Sequence, residues 1–366
     1  MEDIPTLYIV TSLGFVLGLV FGGTAQKTHF CTMGAISDIF FIGDWNRFRA
    51  WMLAMAVAIL GSQTLHMMGI LDLSTSIYLS ANLGWAGAII GGLLFGFGMT
   101  LGGGCGNKTL VRLGAGNLKS LVVAIFIAIF AYMTLRGLIG LARVELEALT
   151  VIDLAARDMA AQGIPDFLMS MGVADGPARL ASTLVIGGGV LWFCLKSKEF
   201  RASKPDLLSG LIIGLLIPAA WYVTGVIGYD DFEPTPLASF TFVAPVGEGL
   251  QYLMTFTGAT INFGIAVIGG IITGSFIVAK STGDFHLESF SDESDMVRHI
   301  SGGALMGTGG VMALGCTVGQ GVTGMSTLAV GSVIALLSIV GGGIFGMKYL
   351  EEGNLVNAFK ALFERG

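Results

Sequence analysis

Residues 101–110 read LGGGCGNKTL, and residues 314–324 read LGCTVGQGVTG. Each stretch surrounds a single cysteine with glycines and directly follows a nearly uncharged apolar segment. Such a break in a helix cannot face lipid, because every unpaired backbone group in hydrocarbon costs several kcal/mol. The sequence therefore predicts that both stretches are broken or half-length helices, either buried in protein or lining a cavity.

The composition is that of a membrane protein. The 366-residue chain is 54% hydrophobic and only 12% charged, with a mean hydropathy of +0.80, whereas soluble domains are about 25% charged. Several nearly uncharged segments of roughly 17–21 residues are long enough to cross a bilayer as helices. We predict an all-α integral membrane protein, and the acidic N-terminal sequence MEDIPTLYIVT gives no sign of a secretory signal.

The glycines indicate closely packed membrane helices, and the cysteines indicate neither disulfides nor zinc binding. The 56 glycines favour close contact between helix backbones within the membrane, at small-xxx-small pairs such as Gly92 and Gly96. The four cysteines include no CxxC pair, so neither a disulfide framework nor a zinc site is indicated. We expect no cofactor, no metal and no nucleic-acid partner; membrane lipid is the expected surrounding.

The apolar segments predict about nine transmembrane helices, together with short re-entrant or half helices. With these spans, fifteen of the 19 Lys and Arg residues lie on one side of the membrane. The positive-inside rule then places the N-terminus outside and the C-terminus in the cytoplasm. The predicted spans are residues 7–23, 49–70, 84–101, 119–139, 180–196, 207–227, 260–280, 300–315 and 328–348.

The two halves of the chain share a pattern of spacing. Cys105 and Cys316 lie 211 residues apart, close to the offset between corresponding spans. Because a fifth span separates the halves, the second set of spans would cross the membrane in the opposite sense, and a substrate site is then expected near the midplane. The predicted division is 1–142 as a first repeat of spans one to four, 143–206 as a connector with an external loop and span five, 207–348 as a second, inverted repeat, and 349–366 as a cytoplasmic amphipathic tail.

A third glycine-rich break is predicted at residues 22–40, and it contains Cys31. Each of the three breaks therefore carries one thiol. The corresponding region of the second half, near residues 223–231, has no cysteine. The N-terminus of a half-helix offers free N–H groups and the positive end of a dipole, which favour an anion. A neutral thiol is a weak, soft S–H donor and suits a terminal sulfur better than a hard oxyanion such as sulfate.

The whole chain resembles the YeeE/YedE family of membrane transporters of sulfur compounds. The resemblance rests on FCTMGAISD at residues 30–38, GGGCGNKTL at 102–110 and GCTVGQGVTG at 315–324. It implies uptake of thiosulfate across a bacterial inner membrane, an hourglass-like interior and thiosulfate binding at the three motif cysteines. It also implies a TusA-like cytoplasmic sulfurtransferase as partner, while members linked to selenium metabolism leave the chalcogen compound open.

Polar neighbours of the thiols complete the predicted site. The amide and hydroxyl side chains beside Cys105 and Cys316 either bind sulfonate oxygens or cap the half-helices, and both alternatives stay open here. No catalytic residue is predicted. The predicted substrate-binding residues are Cys31, Cys105, Cys316, Gly104, Gly106, Gly315, Gly319, Asn107, Thr109, Thr317 and Gln320.

Other residues are predicted to lie outside the site. Cys194 falls in none of the motifs and is interpreted as a structural thiol. His286 and His299 lie in an acidic loop and are expected to be solvated, whereas the apolar part of residues 229–258 is expected to dip back into the protein.

Three functions are consistent with these residues. A transporter would pass thiosulfate inward along neutral thiols, weakly enough for release at each step. A membrane enzyme would form a persulfide on one cysteine and would need a reactive thiolate. A purely structural membrane subunit would tolerate alanine or serine at every thiol.

Overall fold

The computed structural model describes residues 5–157, 159–230 and 235–363. In this part of the chain, eight helical segments are long and apolar enough to cross a membrane. A further 20-residue helix, Glu293–Met312, begins with a charged turn and includes residues 300–312 of the predicted eighth span. Strands are confined, in these ranges, to one antiparallel pair, β1 (Asn82–Leu83) with β2 (Ile152–Asp153). The prediction of an all-α membrane protein is confirmed.

The helices follow the predicted spans and fill the breaks between them. Turns of π-helix at Thr183–Gly188 and Val223–Ile227 join or extend two of the long helices. The α-helices in chain order are α1 (Thr6–Thr28), α2 (Thr32–Ile42), α3 (Asn46–Met67), α4 (Trp85–Leu101), α5 (Gly106–Gly114), α6 (Leu118–Arg136), α7 (Leu138–Thr150), α8 (Ile164–Ser170), α9 (Asp175–Ser182), α10 (Gly189–Lys196), α11 (Lys198–Ala202), α12 (Lys204–Tyr222), α13 (Val243–Met254), α14 (Phe263–Thr282), α15 (Glu293–Met312), α16 (Val330–Glu352) and α17 (Leu355–Phe363).

Each cysteine-bearing break has the same backbone turn. Cys31 and Cys105 are the N-cap residues of α2 and α5, and Cys316 immediately precedes a helical segment at residues 317–326. In every case the residue two positions before the cysteine is left-handed, namely His29 (φ 54°), Gly103 (φ 69°) and Leu314 (φ 56°). This conformation ends the preceding helix and is unfavourable for two of these three residues, because they carry a Cβ. The prediction of broken helices is confirmed.

Long helices pair across the two halves of the chain in a crossed arrangement. Helix α1 packs along α14 and α3 along α12, while α4 packs along α16 and α6 along α15. Glycines bring these backbones into direct contact: a Cβ placed on Gly18 would lie 2.2 Å from Val267 O, and one on Gly96 would lie 2.1 Å from Ile339 O. An inverted repeat predicts this exchange of partners.

The second half contains a fourth break, without cysteine in its described residues. Residues 235–242 run through the interior after α12, and Phe240 and Phe242 are completely or almost completely buried. Helix α13 begins directly afterwards at Val243. The prediction that this region dips back into the protein is confirmed for the described residues, and residues 231–234 of the predicted segment lie outside them.

One prediction about the histidines is wrong. His286 is exposed, as expected, but His299 is only 7% exposed. It lies on the first turns of α15, where its Nδ1 is 3.1 Å from the carboxylate of Asp295 one turn earlier. Phe290 packs edge-on against its ring. The loop is acidic in sequence, but its fold places this imidazole between a carboxylate and an aromatic ring.

Candidate functional site

Two of the cysteines are in contact at the centre of the molecule. The Sγ atoms of Cys31 and Cys105 are 3.6 Å apart, although the residues are separated by 74 positions in sequence. Their exposed fractions are 8% and 0%. Because each caps a half-helix, the N-termini of α2 and α5 converge on the pair, and Gly34 N–H donates to Cys31 Sγ at 3.4 Å.

Cys105 Sγ lies among several hydrogen-bonding groups. It donates to Asn107 Oδ1 at 2.6 Å, and the backbone N–H groups of Thr32, Met33 and Lys108 lie close to it. These N–H groups belong to the first turns of α2 and α5, where no backbone carbonyl of the same helix can accept them. The surroundings of Cys105 Sγ therefore suit a neutral thiol, which can donate its proton to an oxygen and accept hydrogen bonds from amide N–H groups.

Cys316 occupies the equivalent position in the second half. Its Sγ accepts the Gly319 N–H at 3.4 Å, and the N–H groups of Val318 and Phe242 also point toward it. A Cβ placed on Gly106 would lie 4.0 Å from the Cβ of Cys316, so the two cysteine-bearing breaks touch. The structure thus brings all three predicted thiols into one buried core.

The polar side chains divide into bonded and unbonded groups. Thr109 Oγ1 donates to the carbonyl of Cys105 one turn earlier, which is a local helix bond. In contrast, Thr317 Oγ1 and Gln320 Oε1 are buried and have no hydrogen-bond partner among the described residues. The Gln320 amide donates to Ala313 O. Unpaired buried oxygens are costly, and of these two only the Thr317 hydroxyl can donate to an anion, because an amide oxygen only accepts.

The four predicted glycines lie against protein atoms beside the thiols. A Cβ on Gly104 would lie 3.1 Å from the Lys108 side chain, one on Gly315 would lie 3.2 Å from Gln320, and one on Gly319 would lie 2.6 Å from Thr241 Oγ1. Gly106 makes the contact with Cys316 described above. Their absent side chains allow the breaks to approach one another closely.

Aromatic side chains wall the thiol region on the side of α1. Phe21 stacks on Phe240 with a centroid separation of 5.3 Å and meets Phe242 edge-on at 5.4 Å. All three are buried. The sequence pattern did not single them out, because Phe240 and Phe242 follow a proline-rich loop and lack a cysteine.

Cavities flank the thiols on two sides. One lies next to the Cys316 break and is lined by apolar and uncharged polar residues, the polar side chains being those of Tyr78, Gln162, Gln320 and Ser332. The other adjoins the breaks of Cys31 and Cys105 and is lined by the charged and polar groups His29, Lys108, Arg112, Asn117, Lys119, Asp284, His286, Glu288, Asp295, Arg298 and His299. Lys108 lies inside the second cysteine motif but is not among the predicted substrate-binding residues.

Cys194 lies apart from the other thiols. It packs in a small separate cluster with Ala50, Leu53 and Phe200, and its Sγ donates to Arg49 O at 3.4 Å. In the described ranges, no group of three His, Cys, Asp or Glu side chains is arranged as metal ligands.

The chain is similar to known membrane transport proteins. The sequence profile of the Sulphur transport family matches residues 27–345, which include all three cysteine motifs. The chain belongs to the sulphur-transport family. The resemblance to the YeeE/YedE transporters is thereby confirmed.

Several relatives of the chain are named as transporters. The thiosulfate transporter TsuA of Escherichia coli (strain K12) is 28% identical over 330 residues, covering 84% of this chain and 86% of that protein. TsuA of Spirochaeta thermophila is 25% identical over 317 residues, covering 85% and 90%. The probable transporter YedE of Escherichia coli (strain K12) is 31% identical over 102 residues, covering 27% and 23%.

Proposed function

We propose that the protein takes up thiosulfate, or a related small sulfur anion, through a relay of neutral thiols. The observation that carries this proposal is the 3.6 Å contact between Cys31 Sγ and Cys105 Sγ, with Cys316 on the adjoining break. Two relatives that align with more than four-fifths of this chain are named thiosulfate transporters. Membership of the sulphur-transport family gives the same class of substrate.

The chemistry of the site fits a divalent anion that ends in sulfur. The terminal sulfur accepts from one S–H after another, while amide groups at the starts of the half-helices stabilise the oxygens. Weak donors favour transport, because an ion must leave each site as readily as it arrives. Next to Cys316, the unpaired hydroxyl of Thr317 is available to donate to an oxygen of the anion.

The direction follows from the predicted topology in a bacterial inner membrane. With a periplasmic N-terminus and a cytoplasmic C-terminus, the anion passes from the uncharged cavity past Cys316, then Cys105, then Cys31. It reaches the basic side of the membrane, where a TusA-like sulfurtransferase would receive the sulfur. The proposal of this partner is based only on the resemblance to the transporter family.

The test is uptake of radiolabelled thiosulfate by cells that lack their own thiosulfate transporters. Cys31→Ala, Cys105→Ala and Cys316→Ala should each reduce the initial rate by at least about tenfold, since each removes one donor from the path. Cys194→Ala is the matched control and should transport normally. Wild-type rates in all three variants would reject the relay, and no uptake by the wild type would reject thiosulfate as substrate.

A membrane enzyme is the second candidate, favoured by the three backbone N–H groups that lie close to Cys105 Sγ, because such groups stabilise a thiolate. In that reaction the Cys105 thiolate attacks the terminal sulfur, the S–S bond of thiosulfate breaks and sulfite leaves with the electron pair. The product is a persulfide on Cys105. Intact-protein mass spectrometry after exposure to thiosulfate distinguishes the two functions, because the relay leaves the protein mass unchanged.

A further inference from the structure

The cavity beside Cys31 and Cys105 contains several fixed charges, most of which neutralise one another. Asp295 lies 2.9 Å from the ammonium of Lys119 and 3.0 Å from the guanidinium of Arg298, and it also faces His299. The carboxylate of Glu288 lies 3.4 Å from the same Lys119 ammonium. These contacts tie α15 to the start of α6.

Two further charged residues of this cavity are engaged with uncharged groups. Arg112 donates to the carbonyl of Gly103 at 2.8 Å, which fixes its guanidinium against the turn before Cys105. Asp284 accepts from the hydroxyl of Thr282 at 2.7 Å. Lys108 also lines this cavity.

Among the residues that the structure describes, neither Lys108 nor Arg112 has a carboxylate within ion-pair distance. Lys108 differs from Arg112 because its ammonium is not held by a backbone carbonyl, as the Arg112 guanidinium is. It lies on the first turn of α5, three residues after Cys105, and its side chain is half-buried. Its aliphatic stem packs over Gly104, where a Cβ would lie 3.1 Å from Lys108 Cγ. Lys108 lies close to Cys31, Cys105 and Arg112.

The cavity next to the Cys316 break is uncharged, in contrast to the cavity beside Cys31 and Cys105. Tyr78, Gln162, Gln320 and Ser332 supply its polar groups, and no charged side chain lines it in the described part of the chain. A divalent anion therefore meets neutral groups beside Cys316 and an uncompensated ammonium beside Cys31 and Cys105. A half-buried charge acts in a lower effective dielectric than a surface charge, so this difference is not screened away.

We propose that the cavity beside Cys31 and Cys105 is a second anion-binding site, in which Lys108 binds the divalent sulfur oxyanion as it leaves the thiols. The inference rests on the proposed function and extends it by assigning a residue that selects for double negative charge. Lys108 attracts the dianion from the neutral thiols toward the basic side. Because the attraction scales with ligand charge, a monoanion of similar shape gains about half as much.

The experiment uses the full-length protein in proteoliposomes, with wild type, Lys108→Met, Lys108→Arg and Lys27→Met. Lys27 is the matched control, since it is an exposed lysine near the end of α1 that does not line the cavity. Initial uptake of labelled thiosulfate is measured with thiosulfate or its monoanionic S-methyl ester as unlabelled competitor. Melting temperature in detergent is recorded for every variant.

Lys108→Met should reduce thiosulfate uptake by about tenfold or more, and Lys108→Arg should restore most of it. The ratio of thiosulfate affinity to S-methyl ester affinity should fall in Lys108→Met, which a merely structural role would not produce. An unchanged ratio, or equal losses in Lys108→Met and Lys27→Met, overturns the proposal. If Lys108→Met is normal while Cys105→Ala is inactive, the second site is rejected and the thiol relay stands.

Discussion

Replacing Asn107 with aspartate tests whether a dianion passes Cys105. Asn107 is fully buried, its Oδ1 accepts the Cys105 thiol at 2.6 Å, and its Nδ2 donates to Phe30 O at 3.5 Å. The Asn107→Asp side chain would keep the shape and the acceptor while placing a full negative charge beside the proposed path. Transport of a dianion should then be opposed by direct repulsion.

The size of this effect follows from two distances. A sulfur that contacts Cys105 as Cys31 does lies 3.6 Å from Cys105 Sγ, and Asn107 Oδ1 is 2.6 Å from the same atom. Laid end to end, these contacts separate the dianion from the new carboxylate by about 6 Å, which at an effective dielectric constant of about 20 gives a repulsion of ~5.5 kcal/mol. That energy corresponds to roughly four orders of magnitude in binding.

The assay is the initial rate of labelled thiosulfate uptake into proteoliposomes below saturation, with equal amounts of folded protein. Asn107→Ala is the matched control, because it removes the acceptor without adding charge and should lose about 0.5–1.5 kcal/mol, or roughly two- to thirteenfold. Asn107→Asp should lose at least about a hundredfold even if rearrangement halves the repulsion. Equal rates for the two variants would refute a path beside Cys105 for a doubly charged substrate.

Two further predictions concern stability. Gly18→Ala should destabilise the protein by about 1–3 kcal/mol, because its Cβ would lie 2.2 Å from Val267 O; thermal unfolding in detergent measures this, with Gly188→Ala as control, since a Cβ there meets no atom within 4 Å. If Gly18→Ala and Gly188→Ala lost the same amount of stability, the proposed close contact of α1 with α14 would be contradicted. Burial raises the pKa of Asp166 above 3.8, so its contribution to stability is present at lower pH and is lost as pH rises through the folded pKa. Asp166→Asn should therefore flatten the fall in melting temperature as pH rises above 3.8, and an unchanged pH profile would contradict this assignment.

The sequence predicts the membrane spans and breaks because both depend on local chemistry. Uncharged segments about 20 residues long predict spanning helices, and they recur in the structure with shifts at their ends, such as 300–315 against Glu293–Met312. Glycine around Cys105 and Cys316 predicts interruption, and the left-handed residues Gly103 and Leu314 produce it. The identity of the three thiols followed from the same local motifs.

Long-range packing decides the remaining features. Nothing in the spacing of Cys31 and Cys105 indicates that their sulfur atoms lie 3.6 Å apart, since that contact requires two half-helices to converge. The burial of His299 and the interior position of Phe240 depend equally on partners distant in the chain.

By itself, the sequence determined that this chain spans a membrane, where its helices break and which thiols stand at the breaks, because hydropathy and glycine act within a few residues of their positions. Only the tertiary structure decided that the breaks meet in one core, with an uncharged cavity on one side and, on the other, Lys108 without a carboxylate partner among the described residues. Those features arise from the pairing of α1 with α14 and of α4 with α16, and such pairing is selected by the fit of whole helix surfaces.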